Sequence, residues 1–223
     1  MSEILDLLAV IGRLLRAENV LILCHKNPDG DTIGSAAALM HALRRLGKEA
    51  AVLCADPIPS RYSYMEIELF QGQFEPGYVV AVDVASIQLF GDALAEYLDR
   101  IDLCIDHHGS NSGYADAMYL DADAAATAEI IYQLLEAMQV PITPVIADCL
   151  YTGIATDTGC FKFSSTTANT HKVAAKLIEA GCHVEELNTL LFDTKPRARM
   201  EAERIARNHL EYYLDGRCAL IYL

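Results

Sequence analysis

Val20-Leu21-Ile22-Leu23-Cys24-His25-Lys26-Asn27-Pro28-Asp29-Gly30-Asp31-Thr32-Ile33-Gly34-Ser35 sets the architecture of this chain. It opens with a continuous apolar run, the pattern of a strand buried on both faces of a parallel sheet. Asn27-Pro28-Asp29-Gly30 then breaks the run with turn residues. Gly30 permits the tight turn, and Asp31 or Thr32 is placed to cap the next helix. That helix is an Ala- and Leu-rich segment over 32–46 with helical spacing, ended by Gly47, a natural C-cap.

The alternation continues in both directions. Upstream, Ile4, Leu7, Leu8, Ile11, Leu14 and Leu15 predict a helix over 2–17. Downstream, strands are expected at 50–54, 78–82 and 101–105, with a short helix at 60–69 and another helix at 89–98. Helices are expected at 124–138, 144–155, 168–180 and 183–191, and a charged one from 196 to 214. Strands alternating with helices imply an α/β fold: a mostly parallel, Rossmann-like sheet flanked by helices on both faces. The final apolar run, 217–223, has the look of one more strand, to pair with the main sheet or to open another domain.

The 223 residues carry 17 basic and 31 acidic side chains, a net charge of −14. That argues against a broad basic face for duplex nucleic acid or an anionic membrane, though metal ions could reverse the field locally for a small polyanion. No apolar run is long enough for a membrane span, and Met1-Ser2-Glu3 does not begin like a secretory signal. The seven cysteines are scattered without a C-x-x-C pair, as expected of reduced thiols in a cytoplasmic protein. Cys24 and Cys104 lie in apolar runs and read as buried spectators.

Three strand-like runs end in residues that ligate metals. The first leads into His25, Asp29 and Asp31, the second into Asp83, and the third into Asp106-His107-His108. Loops after strand C-termini converge on one crevice in an open parallel sheet. Asp157, in Gly153-Ile154-Ala155-Thr156-Asp157-Thr158-Gly159, is a further candidate just past a helix. Four carboxylates (Asp29, Asp31, Asp83, Asp157) and two imidazoles (His25, His107) would balance two divalent cations. Such mixed oxygen and nitrogen donors suit Mn²⁺ first, with Mg²⁺ or Fe²⁺ as alternatives. Two ions sharing Asp83 could activate a water for attack on phosphorus.

These segments resemble the motifs of the DHH phosphoesterase superfamily, in the same order along the chain. His25 to Ser35 is similar to the first motif, Asp83 to the lone aspartate of the second, and Asp106-His107-His108 to the signature triplet. Gly153 to Gly159, with Phe161, is similar to the fourth, and the segments Thr127-Ala128-Glu129-Ile130 and Leu177 to Gly181 also look like the family. The branch most resembled is the bacterial oligoribonuclease and 3′-phosphoadenosine-5′-phosphate (pAp) phosphatase. The resemblance implies one Mn²⁺ on His25, Asp29 and Asp83, and a second on Asp31, Asp83, His107 and Asp157. Asp83 and His108 would then be the catalytic residues, His108 facing the scissile phosphate as clamp or proton donor. Asp106 would orient a histidine, and Asn111 would touch phosphate or serve as a turn residue. His41, His171, His183 and His209 match no motif and read as structural.

The expected activity is metal-dependent hydrolysis of short oligoribonucleotides or pAp. Alternatives are a pyrophosphatase or exopolyphosphatase acting on phosphoanhydrides, or a weakly catalytic module that binds nucleotides or metal. The last alternative arises because the glycine-rich substrate motif of the second, DHHA1, domain is not found in this sequence. Residues 1–195 would form the catalytic domain, 196–216 a linker helix, and 217–223 the first strand of that second domain. The partners expected are short oligonucleotide or nucleotide phosphate substrates, neither duplex nucleic acid nor membrane. Exposed faces of the charged C-terminal helix are the candidate surface for a homodimer.

Overall fold

A computed structural model describes residues 2–222. The chain divides into two compact units, Met1–Leu187 and Asn188–Leu223. In the first, the elements run β1 (Glu3–Ile4), α1 (Leu7–Arg16), β2 (Val20–Leu23), α2 (Gly30–Arg45), β3 (Ala50–Leu53), β4 (Tyr78–Val82), β5 (Leu103–Asp106) and β6 (Ala117–Leu120). They continue with α3 (Thr127–Ala137), α4 (Pro144–Asp157), α5 (Ala168–Glu179) and α6 (Val184–Asn188), the last reaching the boundary between the units. Short 3₁₀ segments cover Ser60–Met65, Ile87–Leu89 and Asp92–Arg100.

The six strands form one sheet in the order β1-β6-β5-β4-β2-β3, parallel throughout. Side chains alternate across it. Leu21, Leu23, Val79 and Ala81 face a core with Phe90, Leu94, Tyr97 and Met118, covered by the 3₁₀ segments Ile87–Leu89 and Asp92–Arg100. The opposite face carries the longer helices, with α2 at the centre against α3 and α4. Gly34 lets α2 and α4 approach closely: a Cβ there would stand 2.3 Å from the Cys149 carbonyl oxygen. At Gly153 it would meet the Ala128 Cβ at 2.5 Å and Asp31 Oδ1 at 2.7 Å. This seam brings the end of α4 to the start of α2.

Several expectations change in detail. The N-terminal helix starts only at Leu7, where Asp6 caps it by accepting from the Ala9 amide at 2.8 Å. Glu3–Ile4 is an edge strand on β6, where helical spacing had pointed to a longer helix. The cap of α2 is Asp29, not Asp31 or Thr32; its Oδ1 accepts from both of their amides, at 3.0 and 3.2 Å.

In the second unit, α7 (Arg197–Asn208) is shorter than the helix expected to 214. It carries the exposed pairs Arg199–Glu203 and Arg204–Glu201. Such solvent-exposed pairs support a helix only weakly. β7 (Leu210–Tyr213) then turns through Leu214, Asp215 and Gly216, all at positive φ, into β8 (Cys218–Ile221). The terminal strand thus pairs antiparallel with β7 and not with the main sheet. No described helix is long and apolar enough to cross a membrane. No disulfide joins the described cysteines, and Cys24, Cys104 and Cys149 are buried. Burial pushes the Cys104 thiol up to about 12, so it is inert at neutral pH.

Candidate metal centre

Strand addition reverses at β2, which has β3 on one side and β4 on the other. Such a switch point opens a crevice outside the strand C-termini. β2 sends His25, Asp29 and Asp31 into it, β4 sends Asp83, and β5 ends at Asp106 with His107 and His108 beyond. Asp157, the last residue of α4, arrives along the glycine seam. Asp83 has φ +60, a left-handed backbone that a non-glycine residue holds at a cost, and strain of this kind gathers at functional sites.

Asp83 stands between two groups of ligands. Its Oδ2 lies 3.9 Å from His25 Nε2, which is also 3.6 Å from Asp29 Oδ1. Its Oδ1 lies 3.7 Å from His107 Nε2, which is also 3.3 Å from Asp157 Oδ2 and 3.9 Å from Asp31 Oδ2. Three triads are close enough to hold an ion: His25, Asp29 and Asp83; Asp31, His107 and Asp157; and Asp83, His107 and His108. These separations exceed ordinary hydrogen bonds. They match the roughly 3–4 Å between neighbouring donors around one cation with bonds of about 2.1 Å.

Each histidine is held by its other nitrogen. His25 Nδ1 lies 2.7 Å from the Lys26 carbonyl, and His107 Nδ1 lies 3.2 Å from that of Ala124. A carbonyl only accepts, so Nδ1 carries the proton and Nε2 turns a lone pair toward the carboxylates. His107 Nε2 is buried without a hydrogen-bond partner among the described residues, an arrangement that a cation would satisfy. The donor set therefore fits hard to borderline divalent ions.

The charges agree. Burial, then the charges of Asp83 and Asp157, push the Asp31 carboxyl well above its usual value. Burial and the Asp29 charge do the same to Asp83, and burial raises Asp157 against the pull of His107. Burial would raise Asp29 too, but the nearby His25 and the hydrogen bonds from the Thr32 and Asp31 amides bring it below normal. Burial depresses His25, but the nearby Asp29 carboxylate, the hydrogen bond to the Lys26 carbonyl and the Asp31 charge leave it raised.

Asp106 is fully buried and belongs to none of the three triads. Its Oδ1 accepts from the amides of His107 and His108 and bonds His108 Nδ1 at 2.8 Å. Its Oδ2 accepts from Asn111 Nδ2 at 2.6 Å. Burial raises Asp106, but the bonds from His108 and Asn111 bring it below normal. The Asp106 bond raises His108 against burial. Asn111 donates also to the Val84 carbonyl and accepts from the Gly113 amide. Its amide thus braces Asp106 and the loop. His108 keeps Nε2 free on a side chain that is 44% exposed. The four unmatched histidines have structural partners: the Met65 carbonyl for His41, the Phe161 ring for His171, Asp148 for His183 and the Tyr222 ring for His209.

Thr127 had no assigned role in the sequence. α3 has no side-chain cap of its own. Its first amides, of Thr127 and Ala128, donate instead to the two oxygens of Asp31, at 2.6 and 2.9 Å. The Thr127 hydroxyl donates to Asp83 Oδ1 at 2.9 Å. One helix N-terminus therefore orients two of the carboxylates. Thr127→Val should weaken Mn²⁺ binding by about 10- to 100-fold, as loss of a ligand-orienting bond does elsewhere. Thr127→Ser should restore it in calorimetric titration.

The model of the DHH family, N-terminal domain, matches residues 19–154. A Thermus thermophilus protein described as a bifunctional oligoribonuclease and PAP phosphatase is 35% identical over 188 residues, spanning 82% of this chain and 57% of its own. A probable manganese-dependent inorganic pyrophosphatase of Exiguobacterium is 31% identical over 179 residues, spanning 74% of this chain and 57% of its own. The chain thus spans little more than half the length of these relatives. Among solved structures, an exopolyphosphatase-related protein of Bacteroides fragilis superposes with a TM-score of 0.87 at 22% identity, over 97% of this chain and 68% of that one. That likeness confirms the fold.

Proposed function

This chain belongs to the DHH family, and from that premise we propose that it is a phosphohydrolase using two divalent cations, Mn²⁺ first, on short oligoribonucleotides or pAp. The observation that carries this reading is Asp83, whose two oxygens face separate histidines across one buried crevice. His25, Asp29 and Asp83 would hold one ion, and Asp31, Asp83, His107 and Asp157 the other. Bound there, the pair would offset the carboxylate charge and supply a nucleophilic water at neutral pH.

The protein's own groups do the rest. Asp106 anchors His108 by Nδ1, so the opposite ring edge can donate a proton or hydrogen bond to a phosphate oxygen. Asn111 and the two backbone amides keep Asp106 ionised and still. Thr127 and the start of α3 fix Asp83 and Asp31. Every one of these residues lies in the first unit, to which we assign the chemistry; α7 is assigned the part of a linker.

The second reading, hydrolysis of a phosphoanhydride, draws on the pyrophosphatase relative. A side-by-side assay separates them, with Mn²⁺, a chelator control, and a 5′-phosphorylated dinucleotide, pAp and pyrophosphate as substrates. Metal-dependent release of mononucleotide or of phosphate from pAp is the expected result. Turnover of pyrophosphate alone would sink the reading in favour of the second.

A further inference from the structure

Phe163 is a large apolar side chain left 58% exposed, six residues beyond Asp157. Its position is not loose. The buried Thr158 carbonyl accepts from the amides of Lys162 and Phe163 at 2.9 and 3.0 Å. The Thr158 hydroxyl donates to the Ile154 carbonyl and accepts from the Phe161 amide at 3.0 Å. The Phe163 carbonyl in turn accepts from the Thr166 amide at 3.1 Å.

The ring is seated on Gly159. A Cβ at that glycine would stand 2.5, 2.6 and 2.9 Å from Cζ, Cε1 and Cε2 of Phe163. Near-equal distances to three ring carbons mean that the Gly159 backbone meets the face of the ring, not its edge. One face is therefore covered by a residue that must lack a side chain, and the exposure belongs to the other. Two peptide units separate Gly159 from Asp157, so the ring lies within about 11 Å of the Asp157 Cα. Lys162 beside it is exposed and makes no ion pair among the described residues.

We propose that Phe163 is a stacking platform for a nucleobase of the substrate, held on Gly159 beside the metal centre. The inference rests on the phosphohydrolase reading above and deepens it by naming the part of the substrate that the first unit grips. A flat, sequence-indifferent π face suits any base, and pre-positioning avoids the entropy of ordering a mobile side chain. A bare pyrophosphate would gain nothing from the platform, so Phe163 would favour nucleotides over phosphoanhydrides that lack a base.

The test is binding of AMP and of ribose 5-phosphate to the Mn²⁺-loaded chain by calorimetry. Wild type should hold AMP about tenfold more tightly than ribose 5-phosphate, within the range of base–aromatic stacking. Phe163→Ala should bring AMP to the level of ribose 5-phosphate and leave the latter unchanged, and Phe163→Trp should restore the preference. Equal affinity for the two ligands in wild type, or an AMP preference that survives Phe163→Ala, overturns the platform. If that binding still needs Mn²⁺ and fails in Asp83→Asn, the metal reading stands without the platform. Binding of both ligands that ignores Mn²⁺ and Asp83 overturns the metal reading and the inference with it.

Discussion

Asp83→Asn should lower turnover by about 10³-fold or more and reduce calorimetric Mn²⁺ stoichiometry from two ions to one or none. Charge stabilisation by a bound metal pair is worth several kcal/mol, and each ~1.4 kcal/mol is a decade of rate. Asn keeps the shape of Asp and can still accept from the Thr127 hydroxyl, so the backbone at φ +60 has no new reason to move. What it loses is the negative charge that the carboxylate shares between its two oxygens, and that loss falls on both ions, because the two oxygens face different histidines. Without metal the effect reverses. Burial and the neighbouring Asp29 make the ionised Asp83 unfavourable at neutral pH, so the metal-free variant should melt higher than metal-free wild type. An activity loss with full retention of two tight Mn²⁺ sites would refute the bridging role.

The ligand-bearing half of the sheet was legible because chemistry and local pattern coincide there. Tyr78–Val82 is an unbroken β-branched and apolar run with Asp83 at its end, and the structure puts the strand on those residues. The run before His25 and the run before Asp106 share that form, so three ligand loops could be assigned to one sheet edge. The parts that escaped depend on contacts distant in the chain. Ile4 falls in register with Leu7, Leu8 and Ile11, so it reads as helical; only pairing with β6 makes it a strand. β6 itself is four residues long and half exposed toward its end, too short for periodicity to speak. Leu210–Tyr213 continues a helical pattern and becomes a strand because 218–221 folds back on it. In the site, the types of the ligands were readable but not their support. Thr127 is 96 residues from Asp31, whose carboxylate caps its helix, and no local signal marks a cap supplied from another helix.

Mn²⁺ should raise the melting temperature of the chain by about 5–10 °C at pH 7.5 and by much less at pH 5. An ion at 100 times its Kd adds ~2.7 kcal/mol, and in a protein of this size each 1 kcal/mol moves Tm by about 2–4 °C. The pH dependence comes from the carboxyls. Asp31, Asp83 and Asp157 have folded-state values raised above the unfolded ones, chiefly by burial. In the metal-free protein they therefore bind more protons folded than unfolded, and the stability they contribute is full below about pH 4 and lost as pH rises through the raised values. Asp29 and Asp106 are lowered and act oppositely, losing their contribution only as pH falls below the ordinary carboxylate range. Between pH 5 and 7.5 the raised group dominates the slope, so the metal-free chain weakens as pH rises. Mn²⁺ needs those same oxygens ionised and competes with the protons that stabilise the empty site, so its benefit grows over the same interval. Differential scanning calorimetry with Mn²⁺ and with chelator at both pH values measures this directly. A Mn²⁺ shift equal at pH 5 and 7.5 would mean that the ion binds away from the buried carboxylates.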